Sequence, residues 1–189
     1  LQNLKGSDIN NAKVILANET TKLLHGKAEA EKAEKSSINT FEKKLGGDLY
    51  YIATGLAYDK EMKKKIAKHK SERNPKFKTI DSPDLRTDIL KNCTPNDIIL
   101  VDCISMSLSN ILTLKEFSHR QIEDIESVIE NCKSHLIIVG QETSMGIIPP
   151  NELSRKFLKV SGKFNQFLSR ISNKVSFVVA GLPMLIKDE

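Results

Sequence analysis

Four short runs in this chain are almost unbroken in branched and aromatic residues: 49–54 (LYYIAT), 98–103 (IILVDC), 136–140 (LIIVG) and 177–181 (FVVAG). A strand with one wet face alternates apolar and polar residues, whereas a strand covered on both faces does not. These runs therefore read as strands buried on both sides. Helical stripes separate them. Ile122, Ile125, Ile129 and Cys132 form one, and Leu153, Phe157, Val160, Phe164 and Leu168 form another. Strand and helix in alternation predict an α/β domain with a mainly parallel sheet and flanking helices.

Parallel sheets of this kind take ligands beyond the carboxyl ends of their strands. Small or polar residues stand at those ends here: Thr54-Gly55, Asp102, Gln141-Glu142 and Gly181. Asp102 is the most informative of them, because four apolar residues precede it and Cys103-Ile104 follow. A carboxylate placed that deep calls for a metal or a hydrogen-bonded partner.

The first 45 residues follow another pattern. Ser7 is a candidate N-cap, Ile9, Leu16, Leu23 and Leu24 make a stripe, and Gly26 is a candidate C-cap. A second helical stretch follows with Ala30, Ala33, Phe41 and Leu45 inward, and it stops at Gly46-Gly47. Two helices, 8–24 and 27–44, are expected as a hairpin, with a short strand over 14–17 as the rival reading. The domains expected are thus 1–45, helical, and 46–189, α/β.

Charge and cysteine usage narrow the class. The net charge is +5, and residues 59–78 hold nine Lys or Arg against three acids. A solvated basic helix accounts for this run, and a phosphate-rich small molecule fits it too. Nucleic acid is disfavoured, since no aromatic residues interleave with the lysines as a stacking platform needs. Cys93, Cys103 and Cys132 show no C-x-x-C spacing, which predicts a reduced, cytoplasmic protein without a zinc site. No apolar run approaches the roughly 18 residues of a membrane span, and none reads as a signal peptide. The chain opens on Leu1 rather than Met, so a longer reading frame is expected.

Six ordered motifs carry a resemblance: YYIATG, DKEMKKKIAKHKSER, DIILVDCISMSLSN, ETSMGIIPPNELSRKF, GKFNQFL and a last VAG. From about residue 47 onward the chain resembles the bifunctional adenosylcobinamide kinase/adenosylcobinamide-phosphate guanylyltransferase family of cobalamin biosynthesis. The resemblance implies a P-loop-type (RecA-like) fold, a homotrimer, and two steps. Adenosylcobinamide is phosphorylated with GTP or ATP, and GMP is then transferred from GTP to that phosphate through a guanylylated histidine.

By the same resemblance, His69 is the catalytic histidine. Thr54, Gly55 and Leu56, and then Ser71, Glu72, Arg73 and Asn74, are nucleotide contacts. Asp81 falls where the family places the Glu that reads the guanine base. Asp102 is a nucleotide-site carboxylate that serves Mg²⁺. Elementary chemistry agrees on His69: a nucleophilic imidazole must be unprotonated, and Lys65, Lys68, Lys70 and Arg73 nearby disfavour its protonated form. The same cations would stabilise charge building on an attacked α-phosphate. Ser107 stands in place of a common Trp, and Ser144 in place of a common Gly.

The family's opening is missing. Its glycine-rich phosphate loop would fall near residues 29–36, which read EAEKAEKS. Glutamates repel phosphate, and a loop without glycine cannot turn its amides inward. Residues 1–42 instead resemble the end of the helical domain of bacterial tyrosyl-tRNA synthetases. A junction between unrelated pieces is therefore expected near residues 43–48, with the first βα unit replaced by the helical hairpin. Three functions follow: a cobinamide kinase/guanylyltransferase with impaired nucleotide chemistry, a non-catalytic pseudo-enzyme used in binding or assembly, or a synthetase-derived RNA-binding fragment. Strands at 49–54, 98–102, 136–140 and 176–180 are expected in one sheet, with a gap or exposed edge beside 98–102 where the phosphate-loop strand is lost.

Overall fold

The structure is a computed structural model and describes residues 46–113 and 118–189. The expected helical hairpin and the phosphate-loop region fall outside the described residues.

Within the unit Asp48–Leu168, the chain runs β1 (Leu49–Ala53), α1 (Lys60–Glu72), β2 (Lys78–Asp81), α2 (Ile89–Asn92), β3 (Ile98–Asp102), α3 (Ile104–Thr113), α4 (His119–Glu130) and β4 (His135–Val139), and it ends inside α5 (Glu152–Ile171). The four strands are parallel in the order β2-β1-β3-β4. Three of the four apolar runs therefore form the sheet as their composition predicts. β3 is its centre, with Ile98–Val101 buried and Ile99 and Val101 fully so. Excluding each Ile or Leu side chain from water contributes roughly 1.5–3 kcal/mol.

Register sorts the side chains by face. Tyr51, Leu100 and Ile137 share one rung, and Ala53, Asp102 and Val139 the next rung of the same face. Tyr51, Ala53 and Leu100 form a buried cluster there, joined by Phe77, Ile137 and Val139. Among the helices, α3 buries Ile104, Leu108 and Ile111, and α4 buries the expected Ile122, Ile125 and Ile129. α4 starts at Ser118, whose amide donates to Gln121 Oε1 at 3.0 Å. α5 starts at Asn151, whose Oδ1 accepts from the Ser154 amide at 2.7 Å. Its inward face is Val160, Ser161, Phe164 and Phe167, while Leu153 of the expected stripe is exposed.

Two expectations are corrected. The run at 176–180 is not a strand of the parallel sheet. It lies in β5 (Lys174–Val179), which pairs antiparallel with β6 (Leu182–Asp188) in a separate two-stranded sheet. Ala180 and Gly181 both have positive φ, 50° and 77°, which is what a two-residue hairpin turn requires. An apolar run reads alike in either sheet, and the turn decides. The second correction concerns the edge. β3 is hydrogen-bonded on both sides, to β1 and to β4. Among the described residues the sheet ends instead at β2 and β4, and every residue of β4 is only half-buried. β2 was not anticipated, because KTID is short and mostly polar.

The hairpin belongs to the second unit, whose described residues are 46–47 and Ser169–Glu189. Lys187 Nζ donates to the carbonyls of Ser169 and Arg170 at 3.3 and 3.2 Å, closing the carboxyl end of α5. Lys174 holds both oxygens of Asp188 at 2.9 Å.

Candidate functional site

The register of β1, β2 and β3 brings the predicted residues to one end of the sheet. Ala53 pairs with Asp81 on one side and Asp102 on the other. With strands about 4.8 Å apart, the two carboxylate-bearing residues stand about 10 Å from each other.

Thr54 ends β1 as a latch. Its hydroxyl donates to the Cys103 carbonyl at 2.7 Å and accepts from the Cys103 amide at 2.9 Å. Its own amide donates to the Asp102 carbonyl at 3.2 Å. Thr54 is fully buried, so its side chain fixes the turn after Asp102. The exposed Gly55 and Leu56 follow.

Asn110 of α3 clamps the same loops. Its Nδ2 donates to the carbonyls of Thr54 and Pro83 at 2.8 and 2.9 Å, and its Oδ1 accepts from the Tyr58 hydroxyl. One buried amide thus ties the loops after β1 and β2 to α3. Asn110 ends the motif DIILVDCISMSLSN, yet nothing in its neighbours reveals that it reaches two distant carbonyls. At Ser107, on the same helix, the hydroxyl is buried without a partner among the described residues.

α1 begins at Asp59, whose carboxylate accepts from the Met62 amide at 2.7 Å. Met62, Ile66 and His69 are half-buried at helical spacing, while lysines 60, 63, 64, 65, 68 and 70 are exposed. His69 therefore lies on the inward stripe of a helix that has no fully buried residue. Two of the cations expected around it are engaged by carboxylates: Lys65 with Glu61 and Lys70 with Asp81, each at 2.7 Å. The second pair ties the end of α1 to the end of β2.

Arg73 closes α1 and stacks on Tyr51, its Cζ 4.1 Å from the ring centroid. Phe77 meets the same ring edge-on at 5.9 Å. Arg73 Nε and Nη1 are buried and have no hydrogen-bond partner among the described residues. The Tyr51 hydroxyl donates to Asp102 Oδ2. Arg73, Tyr51 and Asp102 thus form a continuous line from helix to strand end. Sequence reasoning missed Tyr51, because inside LYYIAT it looks like core.

The other predicted contacts have local partners. The Ser71 hydroxyl donates to the Lys68 carbonyl at 2.8 Å. Asn74 Oδ1 accepts from the Lys76 amide at 3.0 Å, shaping the turn into β2. Glu72 is half-buried. Beyond β4, the Gln141 amide donates to Ser105 Oγ at 2.8 Å. A Cβ on Gly140 would lie only 3.1 Å from Ile104 Cγ2, so this loop passes close against α3. Ser144, in place of the expected Gly, donates through both hydroxyl and amide to Glu142 and holds that carboxyl below its usual range.

Asp102 suits a magnesium ion of the kind that keeps its waters and leans on substrate phosphates, since such ions need only one or two protein carboxylates. Among the described residues no three His, Cys, Asp or Glu side chains converge as a full protein cage would need.

Parallel strands ending in Thr54 and Asp102, with a basic helix carrying His69 and Arg73, define an α/β domain of the P-loop nucleotide-enzyme type. A family profile described as cobinamide kinase/cobinamide phosphate guanyltransferase matches residues 23–186. The chain belongs to this family. The bifunctional adenosylcobalamin biosynthesis protein CobP of Pseudomonas aeruginosa is 34% identical over 143 residues, 74% of this chain and 82% of that protein. CobU of Escherichia coli, described in the same words, is 26% identical over 153 residues, 72% and 84% of the two chains. A shorter match joins the chain to the tyrosine–tRNA ligase of Zymomonas mobilis, 56% identical over 45 residues, 24% of this chain and 11% of that protein. Both resemblances read from the motifs therefore stand. No described helix is long and apolar enough to cross a membrane.

Proposed function

We propose that the chain acts in cobalamin biosynthesis on adenosylcobinamide phosphate, transferring GMP from GTP through His69. The observation that carries this reading is the placement of His69 on the inward stripe of α1, one helical turn from Arg73, whose buried Nε and Nη1 have no partner among the described residues. A buried guanidinium without an acceptor is ready for an anionic ligand. His69 attacks the α-phosphorus of GTP and pyrophosphate leaves. The phosphate of adenosylcobinamide phosphate then displaces the histidine, giving the GDP-linked product. Arg73 steadies the phosphate charge, and the Tyr51 hydroxyl orients Asp102. Thr54, Gly55 and Leu56, with Ser71, Glu72 and Asn74, shape the loops around the nucleotide. Asp81 reads the base once Lys70 releases it, and Asp102 holds Mg²⁺, which neutralises phosphate charge when bound. The domain division proposed is 1–45, synthetase-like, and 46–189.

The test is incubation with α-labelled GTP and Mg²⁺. Acid-labile label should stay on the chain, vanish in His69→Ala and persist in Lys68→Ala. Label retained by the histidine variant would refute the assignment.

A second reading has its own support in the 56% identity to a tyrosine–tRNA ligase. If the amino-terminal segment were a working RNA-binding piece, the chain would bind tRNA at physiological salt and lose that binding when residues 1–42 are removed.

A further inference from the structure

Two cysteines meet at the opposite end of the sheet from the candidate site. Cys93 closes α2 ahead of β3, and Cys132 follows α4 ahead of β4. They are 39 residues apart in sequence, yet their sulfurs lie 3.5 Å from each other. Cys93 is buried and Cys132 half-buried. The Ser134 hydroxyl lies 3.2 Å from the Cys132 sulfur. Cys103 follows Asp102, at the other end of β3.

We propose that Cys93 and Cys132 form a reversible dithiol–disulfide pair, oxidised by small-molecule disulfides of the glutathione class. A disulfide has an S–S length of about 2.05 Å, so about 1.5 Å of closure separates the observed contact from a bond. Both residues sit in the turns that launch neighbouring strands, where such a movement disturbs no ladder pairing. Disulfides of this kind in reducing compartments are typically transient rather than structural.

The surroundings divide the labour between the sulfurs. Burial pushes the Cys93 thiol up, but hydrogen bonds from the Cys132 thiol, the amides of Lys133 and Ser134 and the Ser134 hydroxyl outweigh it and hold Cys93 below its ordinary value. Burial, helped by the adjacent Cys93, raises the Cys132 thiol. Within the pair, loss of a proton is thus favoured at the buried sulfur over the more accessible one.

In the first step Cys132 passes its proton to the Cys93 thiolate and attacks one sulfur of the small disulfide. One thiolate leaves, and a mixed disulfide remains on Cys132. Cys93 then loses its proton to solvent and attacks the Cys132 sulfur, expelling the second small thiolate. Two electrons move from the protein dithiol to the small disulfide, which becomes two thiols.

The experiment uses the full chain in graded glutathione buffers, quenched, alkylated and measured by intact mass and peptide fragmentation. The expected result is a loss of two hydrogens, a Cys93–Cys132 link, an alkylatable Cys103, and full reversal by dithiothreitol. Cys93→Ser should instead accumulate the glutathione adduct at Cys132. Cys103→Ser should oxidise as the wild type does, and it keeps the test decisive where the other variant does not fold. Three free thiols in the most oxidising buffer, or a link through Cys103, would overturn the proposal.

Discussion

Thr54 is the residue on which the geometry of the site turns. Its hydroxyl serves both the amide and the carbonyl of Cys103, and both lie beside the carboxylate at the end of β3. Thr54→Val keeps the shape but leaves the Cys103 amide without its partner, while the Cys103 carbonyl keeps the Ser107 amide at 3.3 Å. Each unsatisfied buried group costs about 1–3 kcal/mol. Urea unfolding of Thr54→Val should show a loss of that order, and Thr54→Ser should recover most of it. A valine variant as stable as the wild type would mean that water serves Cys103 instead. The same residue shows where reading from sequence ends. Composition places Thr54 at a strand terminus near ligand, but not its use as a bracket between β1 and β3, because the partner is 49 residues away. Tyr51 and Asn110 were missed for the same reason. Their roles depend on Asp102, Pro83 and Thr54, which only the folded register brings near.

At the scale of elements, Asp97 joins the beginnings of the strands as Thr54 joins their ends. Its carboxylate accepts the Asp48 amide at 2.9 Å, ahead of β1, and the Thr94 amide at 2.7 Å, ahead of β3. Burial pushes this carboxyl up, but these amides and the Thr94 hydroxyl outweigh it, so the pKa is lowered in the folded chain. A lowered folded value means stability that is present above the ordinary carboxylate value and lost as pH falls through the folded one. Asp97→Ala should therefore cost about 1–3 kcal/mol at neutral pH. The deficit should narrow once pH drops below about 3.9, as paired urea titrations would show. A deficit independent of pH would mean that the aspartate acts through packing alone. Most elements were legible beforehand: β1, β3 and β4 from unbroken apolar runs, α4 from its isoleucine stripe. β2 was not, since four residues held mainly by backbone pairing to β1 leave no hydrophobic signature. The hairpin partner β6 escaped because its identity hangs on two positive φ values at Ala180 and Gly181.

For the whole molecule, family membership spans residues 23–186, and if the stretch EAEKAEKS holds the place of the phosphate loop, as the resemblance implies, it offers carboxylates where a cradle needs glycine amides. The two reactions that the resemblance implies should therefore part company. Phosphorylation of adenosylcobinamide by this chain should be undetectable, while guanylylation of His69 proceeds, and a kinase assay with γ-labelled GTP or ATP decides. The two sheets also differ in time. β5 and β6 meet across a two-residue turn, whereas β1 finds β3 only after a separation of 49 residues, as in the Leu49–Ile98 rung. A hairpin forms in about 1–10 μs, while pairings between distant residues wait on loop closure. The turn should thus belong to the folding nucleus. Ala180→Gly relieves a positive φ worth about 1 kcal/mol. It should speed refolding about five-fold and leave unfolding unchanged, and a variant that only unfolds more slowly would place the hairpin after the barrier.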